Sequence, residues 1–412
     1  MGVSSDVSSV SSKASQSKFL WVIYLISFIA ANLVIGIVSV TVSTSLVPTQ
    51  VTTLVNPSTS TLVDALVVGA GGIAAVVGMP LFGMLSDKFA FRWLWMIVGT
   101  LLLIVGFTVL AHATSLWLLY TGIVIDFLGM ACMYVVLLAL LPEIPLEQRG
   151  RVTALASAVP LLGNLIAQII GAQIKTIGHT YLVLSGFFIL PLIFVAVEFL
   201  WKAKKENVQE GNAYMPEKME SEALALHPDF LYVWISRFLV FLVLDTVGNF
   251  ILLFYVSSFS LSQQQGQARV ALYFLVFTVT LVIASAIAGI ISDRLQRRKW
   301  IAAGGSMFCA LALIVLIILP SLSLLAAFLL GVGLGMYFSC DLAITTLVLP
   351  PRSFGRYSGI MNTTIFLPLL FSPLLAALVF SLFHQGFAVL FLILVVVALL
   401  ATGLLLRIRS VR

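Results

Sequence analysis

Apolar runs of about 20 residues recur from one end of this 412-residue chain to the other, and they constrain its fold more than any other feature. An α-helix needs about 20 such residues to cross the hydrocarbon core of a bilayer. In lipid, only α-helices and closed β-barrels satisfy all their backbone hydrogen bonds, and the runs far exceed the roughly 10 residues of a barrel strand. Charged residues make up only 9% of the chain, against roughly 25% in soluble domains. We therefore predict an all-α membrane protein.

Twelve transmembrane helices are predicted from these runs. They lie at about 19–45, 62–82, 93–112, 115–141, 152–175, 181–201, 229–256, 268–291, 300–319, 323–350, 357–381 and 387–407. The Ser-rich residues 1–18 are predicted to form a disordered tail, and the first run is too long for a signal peptide. The longest polar stretch, 202–228, is predicted to be a cytoplasmic linker between two domains of six helices each, 19–201 and 229–412.

The Lys and Arg residues predict the orientation, because cytoplasmic loops carry an excess of both. With the N-terminus placed in the cytoplasm, all 22 of them fall on the inner side except Lys175, Arg269 and Arg237. We therefore expect a multi-pass protein of the cytoplasmic membrane with both termini in the cytoplasm. The net charge of +6 follows from this asymmetry, so it does not indicate nucleic-acid binding.

The two halves of the chain repeat each other. The segment Gly83–Lys88 (GMLSDK) matches Gly289–Arg294 (GIISDR), which begins 206 residues later. Further matches follow in the same order and at nearly the same offset, among them Leu128–Met130 with Leu334–Met336. Two parallel repeats of six helices are a transporter architecture, in which the bundles rock about a site held between them.

The first of these segments resembles the loop signature of the major facilitator superfamily, Gly-x-Leu-x-Asp-Arg-x-Gly-Arg-Arg, and the resemblance covers essentially the whole chain. The first copy departs from the signature, because Ala90 replaces its second Gly and Phe91 the Arg that follows. The resemblance implies two pseudo-symmetric six-helix bundles and secondary active transport. It also implies that charged inner loops clasp the bundles together in one state and release them in another. The residues expected in these gate loops are Gly83, Asp87, Lys88, Arg92, Gly289, Asp293, Arg294, Arg297 and Arg298.

A narrower similarity points to a bacterial branch related to sucrose-type and glycoside-type proton symporters. It rests on Tyr337–Ala343 (YFSCDLA), on Gly359–Asn362 (GIMN) and on Ser236–Val240 (SRFLV). This similarity implies a proton as the coupling ion and a sugar-like substrate.

Four ionisable residues within predicted spans stand out: Asp126, Arg237, Asp245 and Asp341. A charge at the centre of a span is costly and is by default a functional hypothesis. A carboxyl group in a low-dielectric site resists ionisation, so it can carry a proton from one side to the other. We expect Asp126 or Asp341 to be the proton-carrying group, with Asp245 as a further candidate and Arg237 as a counter-charge or substrate ligand. Alternatively, the aspartates are structural, and the Arg237 side chain extends to the cytoplasmic interface.

Amide side chains within the spans are candidate substrate ligands. Asn32, Asn164, Gln168, Asn249 and Asn362 offer both donors and acceptors, as a hydroxyl-rich solute requires. The alternative is that they form hydrogen bonds between helices, each worth about 0.6 kcal/mol.

Other classes of function lack their motifs. There is no phosphate-binding Gly-x-x-x-x-Gly-Lys-Ser/Thr segment, and Cys132, Cys309 and Cys340 have no metal-like spacing. We expect no metal, no cofactor and no enzymatic activity, but a monomer in the lipid bilayer that binds a small molecule. Two alternatives stay open: proton-driven efflux of amphipathic compounds, and a transporter fold reused as a non-transporting scaffold or assembly factor.

Overall fold

The computed structural model describes residues 21–38, 42, 46–89, 91–140, 152, 159–160, 162–164, 166–167, 170, 174, 176–206, 228–349, 354–383 and 386–410. In this part of the chain all regular structure is helical. The α-helices are α1 (Trp21–Val38), α2 (Val47–Leu54), α3 (Pro57–Lys88), α4 (Arg92–Ala111), α5 (Leu116–Leu140), α6 (Ile177–Ser185), α7 (Ile189–Glu206), α8 (Pro228–Phe259), α9 (Gln263–Leu295), α10 (Arg298–Ile318), α11 (Ser323–Val348), α12 (Phe354–Phe383) and α13 (Phe387–Arg407). The 3₁₀ turns Gly186–Phe188 and Pro320–Leu322 lie between α6 and α7 and between α10 and α11.

Eleven of the predicted spans correspond to apolar helices long enough to cross a membrane in the described residues. The prediction of an all-α membrane protein is therefore confirmed. More than half of the fifth predicted span, 152–175, lies outside the described residues, as do the tail 1–18 and most of the predicted linker 202–228. Short α2, which begins with a Pro within its first turn, was not predicted.

Six of the residues expected in two gate loops lie instead near the ends of helices: Gly83, Asp87 and Lys88 in α3, and Gly289, Asp293 and Arg294 in α9. The predicted spans end at 82 and 291, but α3 continues to Lys88 and α9 to Leu295. Neither stretch contains a proline, and Gly83 is followed by residues that continue the helix rather than end it. The break after α9 comes at Gln296, whose backbone is left-handed (φ 53°). Gly83 and Gly289 are therefore helical.

The buried apolar side chains form two large cores. One is built from α1 to α7, and the other from α8 to α13. Helices α3 and α9 end on the same side of the molecule, and we call this side the basic face. The side at the other end of these helices is called the opposite face. Leu342 and Phe366 from the second half pack into the core of the first, so the two halves meet along a packed seam.

Helices α3 and α12 form the longest described part of that seam. An added Cβ at Gly359 of α12 would lie 2.5 Å from the Met79 carbonyl oxygen of α3. At Gly72, nearer the opposite face, the added Cβ would lie 3.3 Å from the Phe366 carbonyl oxygen. The two helices thus pack backbone to backbone over several turns.

Candidate functional site

Arg237 and Asp341 form a buried ion pair in the second half of the chain. Arg237 lies on α8 and Asp341 on α11, and the Nη2 and Oδ2 atoms are 3.1 Å apart. The two residues are 2% and 8% exposed. The Arg237 side chain therefore does not extend to the basic face, and Asp341 is the counter-charge with which the structure pairs it.

Three aromatic residues surround this pair. The Tyr337 hydroxyl, one turn before Asp341 on α11, donates a hydrogen bond to its carboxylate. The guanidinium of Arg237 lies over the Phe241 ring, 5.8 Å from the centroid. Tyr134 comes from α5 in the other half of the chain, and its hydroxyl hydrogen-bonds to Arg237. The pair is therefore joined to both halves.

The guanidinium is not saturated by these contacts. Nε and Nη1 of Arg237 are buried and have no hydrogen-bond partner among the described residues. Arginine carries five N–H donors, and leaving buried donors unsatisfied costs free energy. Arg237 thus has the capacity to bind a further acceptor when its surroundings rearrange.

Asp126 lies apart from the pair, inside the first half. Its backbone packs on Gly106 of α4, where an added Cβ would lie 2.8 Å from the Asp126 nitrogen. The carboxylate is fully buried, and neither oxygen has a hydrogen-bond partner in the described part of the chain. Tyr181 of α6 interacts with it electrostatically. Asp126 is therefore oriented toward α4 and α6 within its own bundle.

Asp245 shares α8 with Arg237 but lies about two turns further on. Its Oδ2 is buried without a described hydrogen-bond partner. The structure thus brings together two of the four predicted ionisable residues, and it separates Asp126 and Asp245 from them.

The predicted amide ligands occupy different surroundings. Asn32 and Asn362 are buried, and each donates its Nδ2 to the carbonyl oxygen four residues earlier in its helix. Oδ1 of Asn362 is buried and has no described partner, so it remains available as an acceptor. Asn164 is half-buried and Asn249 is exposed, while Gln168 lies outside the described residues.

The gate residues make one described contact between the two halves. Oδ2 of Asp87, at the end of α3, accepts a hydrogen bond of 2.8 Å from the backbone N–H of Arg356 in the first turn of α12. A carboxylate in this position satisfies a free N–H and is stabilised by the helix dipole. The contact closes the seam at the basic face.

The cations of the gate do not take part in that hydrogen bond. Lys88 is exposed over the Phe89 ring, Arg92 and Arg298 are half-buried, and Arg294 and Arg297 are exposed. The structure does not describe the side chain of Asp293.

Sequence reasoning missed two groups. Tyr134 carries no sequence signal, because its contact with Arg237 depends on how the two halves pack. Asp64 does carry one, since it is an acid within the second predicted span, and its Oδ1 is buried without a described partner. The described residues contain no group of three His, Cys, Asp or Glu side chains that could hold a metal ion.

Comparisons with known proteins agree with this architecture. The family model described as Major Facilitator Superfamily matches residues 20–367 and 233–412. The solved structure of the proton:xylose symporter XylE, bound to 6-bromo-6-deoxy-D-glucose, superimposes with a TM-score of 0.72. The match covers 95% of this chain and 96% of that one at 14% sequence identity, so it concerns the fold. No curated protein sequence matches.

Proposed function

The chain belongs to the major facilitator superfamily, and on this premise we propose that it is a secondary active transporter coupling a small polar solute to protons. The observation that carries the proposal is the Arg237–Asp341 pair, buried at the seam and joined to the first half by Tyr134. Alternating access requires the two halves to part at one face and close at the other. A titratable pair at the seam couples that movement to a proton.

Asp341 is the proposed proton-carrying group. A proton on its carboxylate removes the charge that compensates Arg237. Breaking a buried pair by removing one charge typically costs about 3–5 kcal/mol, because the other charge is left uncompensated. The protonated state therefore favours a rearrangement in which Arg237 gains another acceptor, such as a substrate oxygen. Loss of the proton restores the pair and reverses the change.

The substrate is proposed to be sugar-like. The fold resembles that of a proton:xylose symporter, and a sugar offers several hydroxyls to buried hydrogen-bonding groups. The free donors of Arg237 and the free Oδ1 of Asn362 are such groups. The basic residues of the inner loops favour a cytoplasmic membrane location with both termini inside. A chain with the twelve helices predicted from its sequence holds a complete pathway, so we propose that it works as a monomer.

Transport in proteoliposomes tests this proposal. Radiolabelled xylose, glucose and other monosaccharides serve as probes, with an inward proton gradient as the driving force. Asp341→Asn is expected to abolish proton-driven accumulation while retaining counterflow, because exchange of substrate needs no release of the proton. Asp126→Asn and Asp245→Asn are the matched controls, and we expect both to keep accumulating the sugar.

The outcomes separate the parts of the proposal. Full accumulation by the Asp341→Asn protein would eliminate Asp341 as the proton carrier. Accumulation lost in Asp126→Asn instead would move that role into the first half. Proton-driven movement of amphipathic compounds with no response to any sugar would favour efflux.

A further inference from the structure

Four exposed arginines lie at the basic face of the second half. Arg294 and Arg297 flank the end of α9, and Arg407 and Arg409 flank the end of α13. We call these four residues the arginine patch. They come from two segments far apart in sequence, which the fold brings to the same face.

One described contact links the start of α10 to the chain after α13, and a second ties that chain to the start of α8. Nζ of Lys299, in the first turn of α10, donates a hydrogen bond of 3.0 Å to the Ile408 carbonyl oxygen. The carboxylate of Asp229, at the start of α8, accepts hydrogen bonds from the backbone N–H groups of Arg409 (3.2 Å) and Ser410 (2.7 Å). The chain after α13 is thereby held against the bundle, and its backbone at Ile408 lies within reach of Lys299 at the start of α10.

Exposed apolar side chains border the patch. Leu295 is 59% exposed and Trp300 is 57% exposed, and they lie on either side of Arg297 in the sequence. Tryptophan is enriched where a membrane protein meets the headgroup region. The surface therefore offers cations to a phosphate and, directly next to them, apolar area to an acyl chain.

In the first half, the α3–α4 turn is the counterpart of the α9–α10 turn, and it differs at the position of Arg297. Phe91 occupies the position that corresponds to Arg297, and it is 58% exposed. Phe89 corresponds to Leu295, so an exposed aromatic pair flanks the α3–α4 turn. General positive-inside asymmetry gives both halves basic loops, but it does not account for an arginine at this position in the second half where the first half has a phenylalanine.

We propose that the arginine patch binds the headgroup of an anionic phospholipid, with an acyl chain along Leu295 and Trp300. The guanidinium fork suits a phosphate diester, and basic surfaces on this side of a membrane are known to attract anionic headgroups. Each arginine near the headgroup contributes roughly a fivefold gain in affinity. This inference does not depend on the proposed coupling to protons.

Quenching of tryptophan fluorescence by brominated lipids tests it. The full-length protein is placed in phosphatidylcholine vesicles that contain rising fractions of brominated phosphatidylglycerol. The signal of Trp300 is the difference between this protein and its Trp300→Phe variant. We expect brominated phosphatidylglycerol to quench Trp300 at a lower mole fraction than brominated phosphatidylcholine does.

Single substitutions then test whether the preferential quenching of Trp300 by phosphatidylglycerol depends on the arginine patch. Arg297→Gln is expected to raise the half-quenching fraction of phosphatidylglycerol about fivefold. Arg297→Lys is expected to keep most of the preference. Arg269→Gln removes the same charge at the opposite face and is expected to change nothing. Equal quenching of Trp300 by the two brominated lipids would overturn the proposal. Equal shifts of the half-quenching fraction in Arg297→Gln and Arg269→Gln would overturn it as well, and so would relief of quenching by millimolar glycerol phosphate.

Discussion

At the scale of single residues, burial and pairing distinguish the four charges that the sequence places in the membrane. All four lie at depths where a charge is costly, so depth alone gives them equal standing. The structure separates them by direction: Arg237 and Asp341 are oriented toward each other near the seam, whereas Asp126 is oriented toward α4 and α6. Helical periodicity could not predict the direction in which each charged side chain is oriented, because the rotation of a uniformly apolar helix about its axis is set by its neighbours.

The pair makes a prediction about stability. Arg237→Gln leaves the Asp341 carboxylate without its cation, and we expect unfolding in detergent to become easier by about 3–5 kcal/mol. The double variant Arg237→Gln with Asp341→Asn removes both charges and is expected to recover much of that loss. A double-mutant cycle measured by chemical unfolding gives the coupling energy. Additive losses would show that the two side chains do not stabilise one another.

At the scale of the elements, hydrophobic length explains why the helices could be predicted. Most of the described spans begin and end within a few residues of the predicted limits, because about 20 apolar residues in lipid have no alternative to a helix. The ends of α3 and α9 were misplaced, because the signature residues are polar while the backbone continues to hydrogen-bond as a helix. Polarity marks the membrane boundary rather than the end of the helix.

The α3–α12 seam makes a prediction at this scale. Gly359→Ala places a Cβ 2.5 Å from a backbone oxygen of α3, so the helices must move apart. We expect a loss of about 1–3 kcal/mol in the free energy of unfolding. Gly289→Ala is the control, because nothing lies within 4 Å of its added Cβ. Its expected change is a gain of about 0.5–1 kcal/mol from helix propensity, measured in the same unfolding experiment.

At the scale of the whole molecule, the repeat anticipated the architecture. Segments matching at an offset of 206 residues predict two similar units, and the family match and the superposition on XylE agree with this. What the repeat could not provide is how the units contact each other. Tyr134 contacts Arg237, and Asp87 accepts from the Arg356 N–H; both contacts join residues far apart in sequence, and the repeat names neither the partner of Asp87 nor that of Arg237.

These contacts describe a molecule that is closed along α3 and α12 at the basic face. The Asp87 hydrogen bond and the backbone packing at Gly359 lie near that face, and the Arg237–Asp341 pair lies deeper. If transport proceeds by rocking of the two halves, the contacts at the basic face must break while the halves approach each other at the opposite face.

Distances between spin labels test that movement most directly. One pair of labels replaces Phe89 and Leu295 at the basic face, and a second replaces Thr52 and Ala268 at the opposite face, all of them exposed. We predict that lowering the pH in the presence of a transported sugar lengthens the distance at the basic face and shortens the distance at the opposite face. In the Asp341→Asn protein, we predict that the ratio between molecules closed and open at the basic face no longer changes with pH. Distances that stay fixed at both faces, or that change together in the same direction, would contradict transport by alternating access.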